Sequence, residues 1–515
     1  MRVVGGPDLF FNEVRGNRIG TEITGAAGIP NGLDGVRLSS FFTPVDRNRI
    51  AFNGGRGVFV MAGRGNPIRK NSIDANGALG IDLLGGDEDP FGVTANDPGD
   101  VDTGANDLLN FPLFDGAVVT PSINGLLVTV RGSIDTPGIR SIELFSSDSC
   151  DPSGHGEGAT LIGRWAVPFS PFSVTFGALG LGAVTATTTE ENAQLIFDIN
   201  TSEFSACLEL PPPPPPASYL AINEIDAGVP PGQQFIELSS GGTGGVSLAG
   251  KVVVLYDGAT DASYAAFDLD GQFTDPQGYF VLGNAAVPGV GLVFPDGLLQ
   301  GGPEAAALYF GDATDFPAGT AVTTAGLIDA AVYGPAAAPD AGLLVLLQPD
   351  QPQVDEAAAG QPLAHSVQRC PDSSGGLRFT DTYRAAPPTP AEPNACVVCF
   401  LEPPEAVRPP GTDHTLTATV LVDAMTPTAG IVVDVEVVAG PNAGASGSVT
   451  TGADGEAAFV YPGLGGDGVD QVTASGTFGA VPFSCAATVV WFDASLIFAD
   501  GFESGNTSAW STTVP

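Results

Sequence analysis

The sequence predicts an all-β protein: stacked solenoid coils followed by three β-sandwich modules in series. Three observations carry this. An Asn-Gly pattern recurs every 22 or 23 residues near the start. Beyond it, short stretches of alternating apolar and polar residues follow one another, each bounded by turn residues. The chain holds 70 glycines and 44 prolines among many Val, Thr and Phe residues, and no long apolar run at helical period.

Composition narrows the class of partner. The 515 residues carry a net charge of −40, and Lys70 and Lys251 are the lysines. Such a length predicts about three to five domains. A surface this acidic repels phosphate backbones and anionic headgroups, so nucleic acid and acidic membranes are disfavoured as partners, and no nucleic-acid partner is expected. Cations, Ca²⁺ above all, are the natural counterparts of surplus carboxylates, although acidity also simply keeps an extracellular protein in solution. No stretch approaches the ~20 apolar residues of a membrane span. The six cysteines (Cys150, Cys207, Cys370, Cys396, Cys399 and Cys485) are an even number, which in a β-rich acidic chain predicts an oxidising compartment. The first residues, Met1-Arg-Val-Val-Gly-Gly-Pro7, have neither an apolar core nor a cleavage site of a signal peptide. The expectation is that the chain starts within a longer gene.

Residues 1–112 hold the repeat. Asn31-Gly32-x-x-Gly35-Val36, Asn53-Gly54-x-x-Gly57-Val58 and Asn76-Gly77-x-x-Gly80-Ile81 share one register. Asn48-Arg-Ile50 and Asn71-Ser-Ile73 are 23 apart and share a second, while Asn17-Arg-Ile19 precedes them by 31. One coil therefore carries an insertion, placed within 20–31. Each coil supplies Val36, Val58 or Ile81 to an interior row, and the Asn-Gly pairs are expected to make turns at positive φ. The run from Asn71 to Leu83 resembles the last coil of a right-handed parallel β-helix of large secreted bacterial proteins. That fold hosts carbohydrate-active enzymes, whose sites need carboxylates clustered on one face with an Arg or Lys base. Asp34 and Asp82 are not at matching coil positions, and Arg37, Arg49, Arg56 and Arg69 look scattered, so a structural solenoid end is the reading here.

An acidic loop follows. Asp97, Asp100, Asp102, Asn106 and Asp107 alternate with glycine, as oxygen ligands converging on one Ca²⁺ do. The twelfth-position Glu of an EF-hand is absent, and Asp and Asn favour loops in any case. A capping role is the alternative.

Residues 113–209 predict strands at 126–131, 141–146, 161–167, 172–176, 183–189 and 195–199, as in an Ig-like sandwich. The segments around Phe145, Cys150-Asp-Pro-Ser153, Val184-Thr-Ala-Thr187 and Asn200–Ser205 resemble the small sandwich that follows such β-helices. The expectation is a Cys150–Cys207 disulfide within it. Prolines 211–216, in the linker 210–217, predict a polyproline II spacer of roughly 19 Å.

Residues 218–398 open with Leu220-Ala-Ile-Asn-Glu-Ile-Asp226 and Gln234-Phe-Ile-Glu-Leu238, two strands joined by the loop 228–232. This pair, with Gly278-Tyr-Phe-Val-Leu282, Ile328–Gly334 and Ser366-Val-Gln-Arg-Cys370, resembles a lamin-tail domain. Further strands are expected at 252–256, 306–310 and 343–346. Glu224 and Glu237 are the two strand-borne carboxylates; an acid/base couple is the alternative, and the reading is that of solvated strand carboxylates. Asp268-Leu-Asp270-Gly271 is a second, weaker cation loop. Asp372-Ser-Ser-Gly-Gly376 imitates a serine-protease nucleophile loop, but His155, His365 and His414 fall in separate segments, so no triad is expected. Cys396-Val-Val-Cys399 lacks the second pair of a zinc site and the βαβ context of a redox motif. It reads as a junction, with Cys370 paired to Cys396 and Cys399 to Cys485.

Residues 399–492, with Thr415–Val420 and Asp454-Gly-Glu-Ala-Ala-Phe459, resemble bacterial Ig-like repeats of surface adhesins. The tail 493–515 contains Phe498-Ala-Asp-Gly-Phe-Glu-Ser-Gly505, similar to a short terminal motif of exported Gram-negative proteins, with sorting as the implied role. Together these readings describe a non-catalytic, modular extracellular or cell-surface protein that binds a protein or glycan. The alternatives are an accessory region of a β-helix carbohydrate-active enzyme and a Ca²⁺-stabilised stalk.

Overall fold

The computed structural model describes residues 2–4, 12–123, 125–137, 140–167, 170–177, 182–190, 200–215, 218–228, 232–335, 339–355, 365–394, 396–402, 405–422, 426–478 and 481–491. The expected strand at 195–199, most of the loop 228–232 and the tail motif from Phe498 lie outside them. The architecture is all-β and falls into two compact units, Met1–Ala395 and Cys396–Pro515.

The first unit begins with three parallel ladders. Arg2–Val4, Val36–Ser39, Val58–Ala62 and Ile81–Leu83 form one; Val14–Arg15, Val45–Asp46 and Ile68–Arg69 a second; Arg18–Ile19, Arg49–Ala51 and Ser72–Asp74 a third. Val36 pairs with Val58 and Val58 with Ile81, so the ladder steps match the repeat read in the sequence. Val36, Leu38, Val45, Ile50, Val58, Val60, Ile68, Ile73, Ile81 and Leu83 make a closed apolar interior. The insertion folds back on itself, with Ile29 N donating to Gly20 O and Glu22 N to Ala27 O.

The Asn-Gly pairs work differently from the expectation. Gly32, Gly54 and Gly77 are not at positive φ. At Gly54 and Gly77 the neighbouring backbone approaches closely: a Cβ on Gly54 would lie 3.0 Å from Gly32 O and one on Gly77 2.5 Å from Gly54 O, as one on Gly57 would lie 2.5 Å from Gly80 O, whereas one on Gly32 would meet nothing. Left-handed corners fall instead on Arg47 and Lys70, and on Phe52 and Ala75.

The asparagines stack into ladders of their own. Asn48 Oδ1 accepts from Asn17 N and Nδ2, and Asn71 Oδ1 from Asn48 N and Nδ2. Asn53 Oδ1 accepts from Asn31 Nδ2, and Asn76 Oδ1 from Asn53 N and Nδ2. Each buried amide thus feeds the coil before it, which satisfies groups that would otherwise be stranded.

The following stretch closes the open end of the three ladders. Its side chains accept the N–H groups that another coil would have taken: Asn200 Oδ1 from Gly65, Thr201 Oγ1 from Ile68, Glu143 Oε2 from Lys70, Glu157 Oε1 from Asn76 and Glu203 Oε1 from Leu83. Of these, Glu143 lies on a strand and the other four lie outside the strands, beside two sheets. One orders Leu113–Ser122, Gly125–Ser133 and Phe172–Gly177; the other orders Thr160–Val167, Arg140–Ser147, Ala183–Glu190 and Leu208–Glu209. Val128, Val130, Ile142, Leu144, Val174 and Val184 pack between them. Cys150 and Cys207 are bonded.

From Ala221 onward a second pair of sheets forms. The larger orders Val290–Val293, Tyr279–Gly283, Phe235–Ser239, Ala221–Asp226, Ser366–Arg369 and Tyr383–Ala386. The smaller orders Ala262–Asp268, Lys251–Asp257, Glu304–Phe310 and Leu327–Tyr333. Ile222, Ile236, Leu238, Val253, Leu255, Leu282 and Leu308 fill the space between. The strand expected at 343–346 is not one. Ala341–Leu344 is a helical turn, because the Asp340 side chain accepts from Gly342 N and Leu343 N and caps it.

The proline run does not hold its neighbours apart. Arg131 donates to both Asp381 carboxylate oxygens at 2.6 and 2.7 Å, lies over the Phe379 ring and donates to Gly375 O. Gly375 N in turn donates to Thr129 Oγ1. A bidentate guanidinium pair with its ring face covered thus joins the segments on either side of the proline run.

In the second unit, Val397–Glu402, Asp413–Val422 and Glu456–Pro462 line one sheet, with Thr426–Pro427 at its edge. Glu405–Arg408, Val481–Trp491, Gly468–Phe478, Val432–Ala439 and Ser446–Thr450 make the other. Cys399 is bonded to Cys485. Cys370 and Cys396 are disulfide-bonded too, so no cysteine is free.

Candidate functional site

The acidic loop divides into two parts. Asp97, Asp100 and Asp102 converge, with one carboxylate oxygen of each lying within 4.8 Å of the others. Asp97 Oδ1 and Asp102 Oδ1 are shielded from solvent and meet no hydrogen-bond donor. Burial pushes Asp100 up to about 6, with the Asp102 and Asp97 charges adding to it against Asn110 N and Arg140. These three residues can hold a cation. Asn106 cannot join them. Its Oδ1 accepts from Asn66 N and Nδ2, and its Nδ2 donates to Asn66 O and Thr201 O, so it ends a third asparagine ladder. Asp107 is turned toward Asn200 Nδ2. Alternation in sequence cannot distinguish a ligand from a ladder amide, because both need a buried oxygen. Asp268 and Asp270 are joined by Asp312, a residue from a distant loop, in a second and more exposed group.

Two of the four arginines, Arg37 and Arg56, are brought together, while Arg49 pairs with Asp74. Register places Arg37, Phe59 and Asp82 in one row. Arg56 Nε donates to Asp82 Oδ2 at 2.5 Å, Arg37 Nε lies 3.3 Å from Asp34 Oδ2, and Arg56 caps the Phe59 ring at 4.1 Å. Asp34 and Asp82 thus come together, but each faces a guanidinium that neutralises it. Burial still pushes Asp82 upward.

Glu224 and Glu237 are buried, not solvated. A bulge at Asn223 sets them opposite each other across the ladder. Glu224 accepts from Ser366 Oγ, Thr389 N and Thr389 Oγ1. Glu237 accepts from Asn223 Nδ2 at 2.9 Å and Ala391 N at 2.7 Å. Asp372 takes the same Asn223 amide at 2.8 Å, with Tyr279 OH and Asn394 N. Burial raises Glu224 to about 7, with the Asp372 charge adding. It raises Glu237 well above its usual value too, with the Glu224 and Asp372 charges adding. The pair anchors the strap 387–394 over the sheet. Two alternating strands gave no sign of this, because the covering residues are about 150 positions away. Ser373 is buried against Ser239 Oγ at 2.7 Å, and its N–H donates to Asn223 Oδ1. The nucleophile-like loop is therefore part of this network.

A cleft of about 580 Å³ opens between the last coil and the disulfide loop of the next stretch. Asp74 and Ala75 line one side. Ser146 to Pro152, Glu157, Thr160, Thr185 and the Cys150–Cys207 bridge line the other. Glu157 is pushed upward by burial, with Asp151 adding to it.

No protein-family model matches the chain. No curated protein matches it. Solved structures overlap it weakly. A Dscam structure concerned with isoform specificity covers 74% of this chain and 73% of its own, at 8% identity and a TM-score of 0.16. The FN1–FN3 domains of chicken CNTN1 cover 74% and 99%, at 10% identity and 0.14. The S-layer protein rSbsC(31–844) covers 74% and 39%, at 12% identity and 0.14. Overlaps at such scores assign neither a fold family nor a role.

Proposed function

We propose that the chain is a non-catalytic, modular extracellular or cell-surface protein that binds a protein or glycan partner. In this reading the three ladders are coils of a right-handed parallel β-helix. Residues 113–209 are an Ig-like module, 218–398 a lamin-tail domain and 399–492 a bacterial Ig-like domain. The observation that carries it is the use of the buried strand and loop carboxylates. Glu157, Glu203, Glu224 and Glu237 all accept backbone N–H groups of other segments. They hold one piece of chain to another. Six cysteines in disulfides support an oxidising location. No helix among the described residues is long and apolar enough to cross a membrane.

Protease shaving of intact cells tests the location, and alkylation before and after reduction tests the cysteines. The expected result is release of chain fragments from intact cells and no alkylation without reduction. A chain found only in the cell interior, with reactive thiols, would sink the reading. A second reading, a Ca²⁺-stabilised stalk, rests on the convergence of Asp97, Asp100 and Asp102. The enzyme-accessory alternative would gain if the chain released sugars from a polysaccharide panel and Arg56→Ala abolished this.

A further inference from the structure

We propose that the cleft between the last coil and the Cys150–Cys207 loop receives a lysine or arginine side chain from a basic segment of a partner protein. This deepens the partner-binding reading and rests on it.

Charge is the first argument. Asp74, Asp148, Asp151 and Glu157 line the cleft, and no Arg, Lys or His is among its lining residues. Asp74 already holds one guanidinium, since Arg49 Nη2 donates to its Oδ2 at 3.0 Å. Glu157 is occupied by Asn76. Asp148 and Asp151 have no basic partner among the described residues, and Asp148 is exposed at the mouth. An incoming ammonium or guanidinium would supply that partner.

Polarity and shape are the second. The cleft has the volume of a ligand site, yet hydroxyls and carboxylates dominate its walls, so an apolar ligand would strand them. Ser146, Ser147, Ser149 and Thr160 offer acceptors to a group with several N–H donors. No aromatic ring lines it for a sugar face to rest on, which favours a basic peptide over a glycan.

Rigidity is the third. The disulfide fixes the loop, and Ile73 and Gly158 exchange two backbone hydrogen bonds of 2.8 Å beneath it. Both walls are therefore held before any partner arrives, which lowers the entropy lost on binding. The net charge of −40 draws basic partners to the whole surface, and the cleft supplies a fixed destination.

The test must separate this site from general acidity. A labelled tetralysine peptide is titrated onto the full chain by fluorescence anisotropy. The chains compared are the unaltered one, Asp148→Asn/Asp151→Asn, and Glu436→Gln/Glu456→Gln, which loses the same charge at exposed positions elsewhere. The cleft pair should weaken binding about fivefold or more and the distant pair less than about twofold. Zero-length carbodiimide coupling of the peptide to the unaltered chain, mapped by mass spectrometry, should mark Asp148 or Asp151. This arm needs no variant to fold. Equal weakening by both pairs, coupling spread over the surface, or undiminished binding of an acetyl-lysine peptide would each overturn the proposal. A chain that fails here but is shaved from intact cells keeps its surface role; an interior chain that binds as expected keeps its cleft.

Discussion

Glu157 completes the ladder that passes through Asn76. Its Oε1 accepts from Asn76 N at 3.0 Å and Asn76 Nδ2 at 2.9 Å, as Asn76 Oδ1 accepts from Asn53. An acceptor is needed at this point and the charge is not. Glu157→Gln keeps the acceptor and should change stability little near pH 7. Glu157→Ala leaves two donors facing a void and should cost about 2 kcal/mol. Urea unfolding of both variants checks this. Equal losses would show that charge, not acceptance, holds the coil.

Stability should fall as pH rises from about 5 to 8.5. Burial raises Glu203 to about 8 and Glu224 to about 7 from a usual 4.5. Below the unfolded value both states are protonated and nothing is lost. Above it the unfolded chain releases protons first, so the folded state loses ground until its own carboxyls ionise. Each pH unit by which a carboxyl is raised corresponds to about 1.4 kcal/mol, and Glu224 shares its displacement with Glu237. Melting temperatures at pH 5 and pH 8.5, with and without 0.5 M salt, test it. Salt screens surface repulsion but not these buried groups. A profile that is flat in high salt would rule the buried groups out.

Arg131 joins two pairs of sheets. Arg131→Ala leaves Asp381 without its guanidinium and Phe379 uncovered, and should cost about 2–4 kcal/mol. Calorimetry should show the transition of residues 1–395 splitting in two. An unsplit transition at the original temperature would mean that the joint contributes nothing.

Asp470 is the polar hub of the second unit. It is fully buried and accepts from Asn442 N and Nδ2, Tyr461 OH and Trp491 Nε1. Asp470→Ala strands four donors and should cost about 3 kcal/mol or more. Tryptophan fluorescence during urea unfolding reports it through Trp491. A midpoint unchanged within error would refute the assignment.

Calcium should raise the melting temperature if Asp97, Asp100 and Asp102 bind it, because a ligand of the folded state alone stabilises by mass action. The gain should fade below about pH 6, where Asp100 takes up a proton. Equal melting temperatures in EDTA and millimolar Ca²⁺ would remove the cation from the account. Asp97→Asn/Asp102→Asn should abolish any gain.

The repeat alone determined the register of the parallel ladders. Asn53 and Asn76 are 23 apart because one turn of the ladders takes that many residues, and a periodic sequence can stack in few other ways. The alternating segments likewise determined most strands, since side-chain alternation is local. Only the tertiary structure decided what each polar residue does. Asn106 is a ladder amide and not a ligand, Glu224 and Glu237 are buried and not solvated, and Arg37 and Arg56 meet Asp34 and Asp82. In every case the partner comes from a remote segment, and whether a carboxylate faces water, a cation or a backbone N–H is settled only when that segment packs. The same holds for the proline run, whose composition sets its stiffness while Arg131 and Asp381 set where its two sides meet.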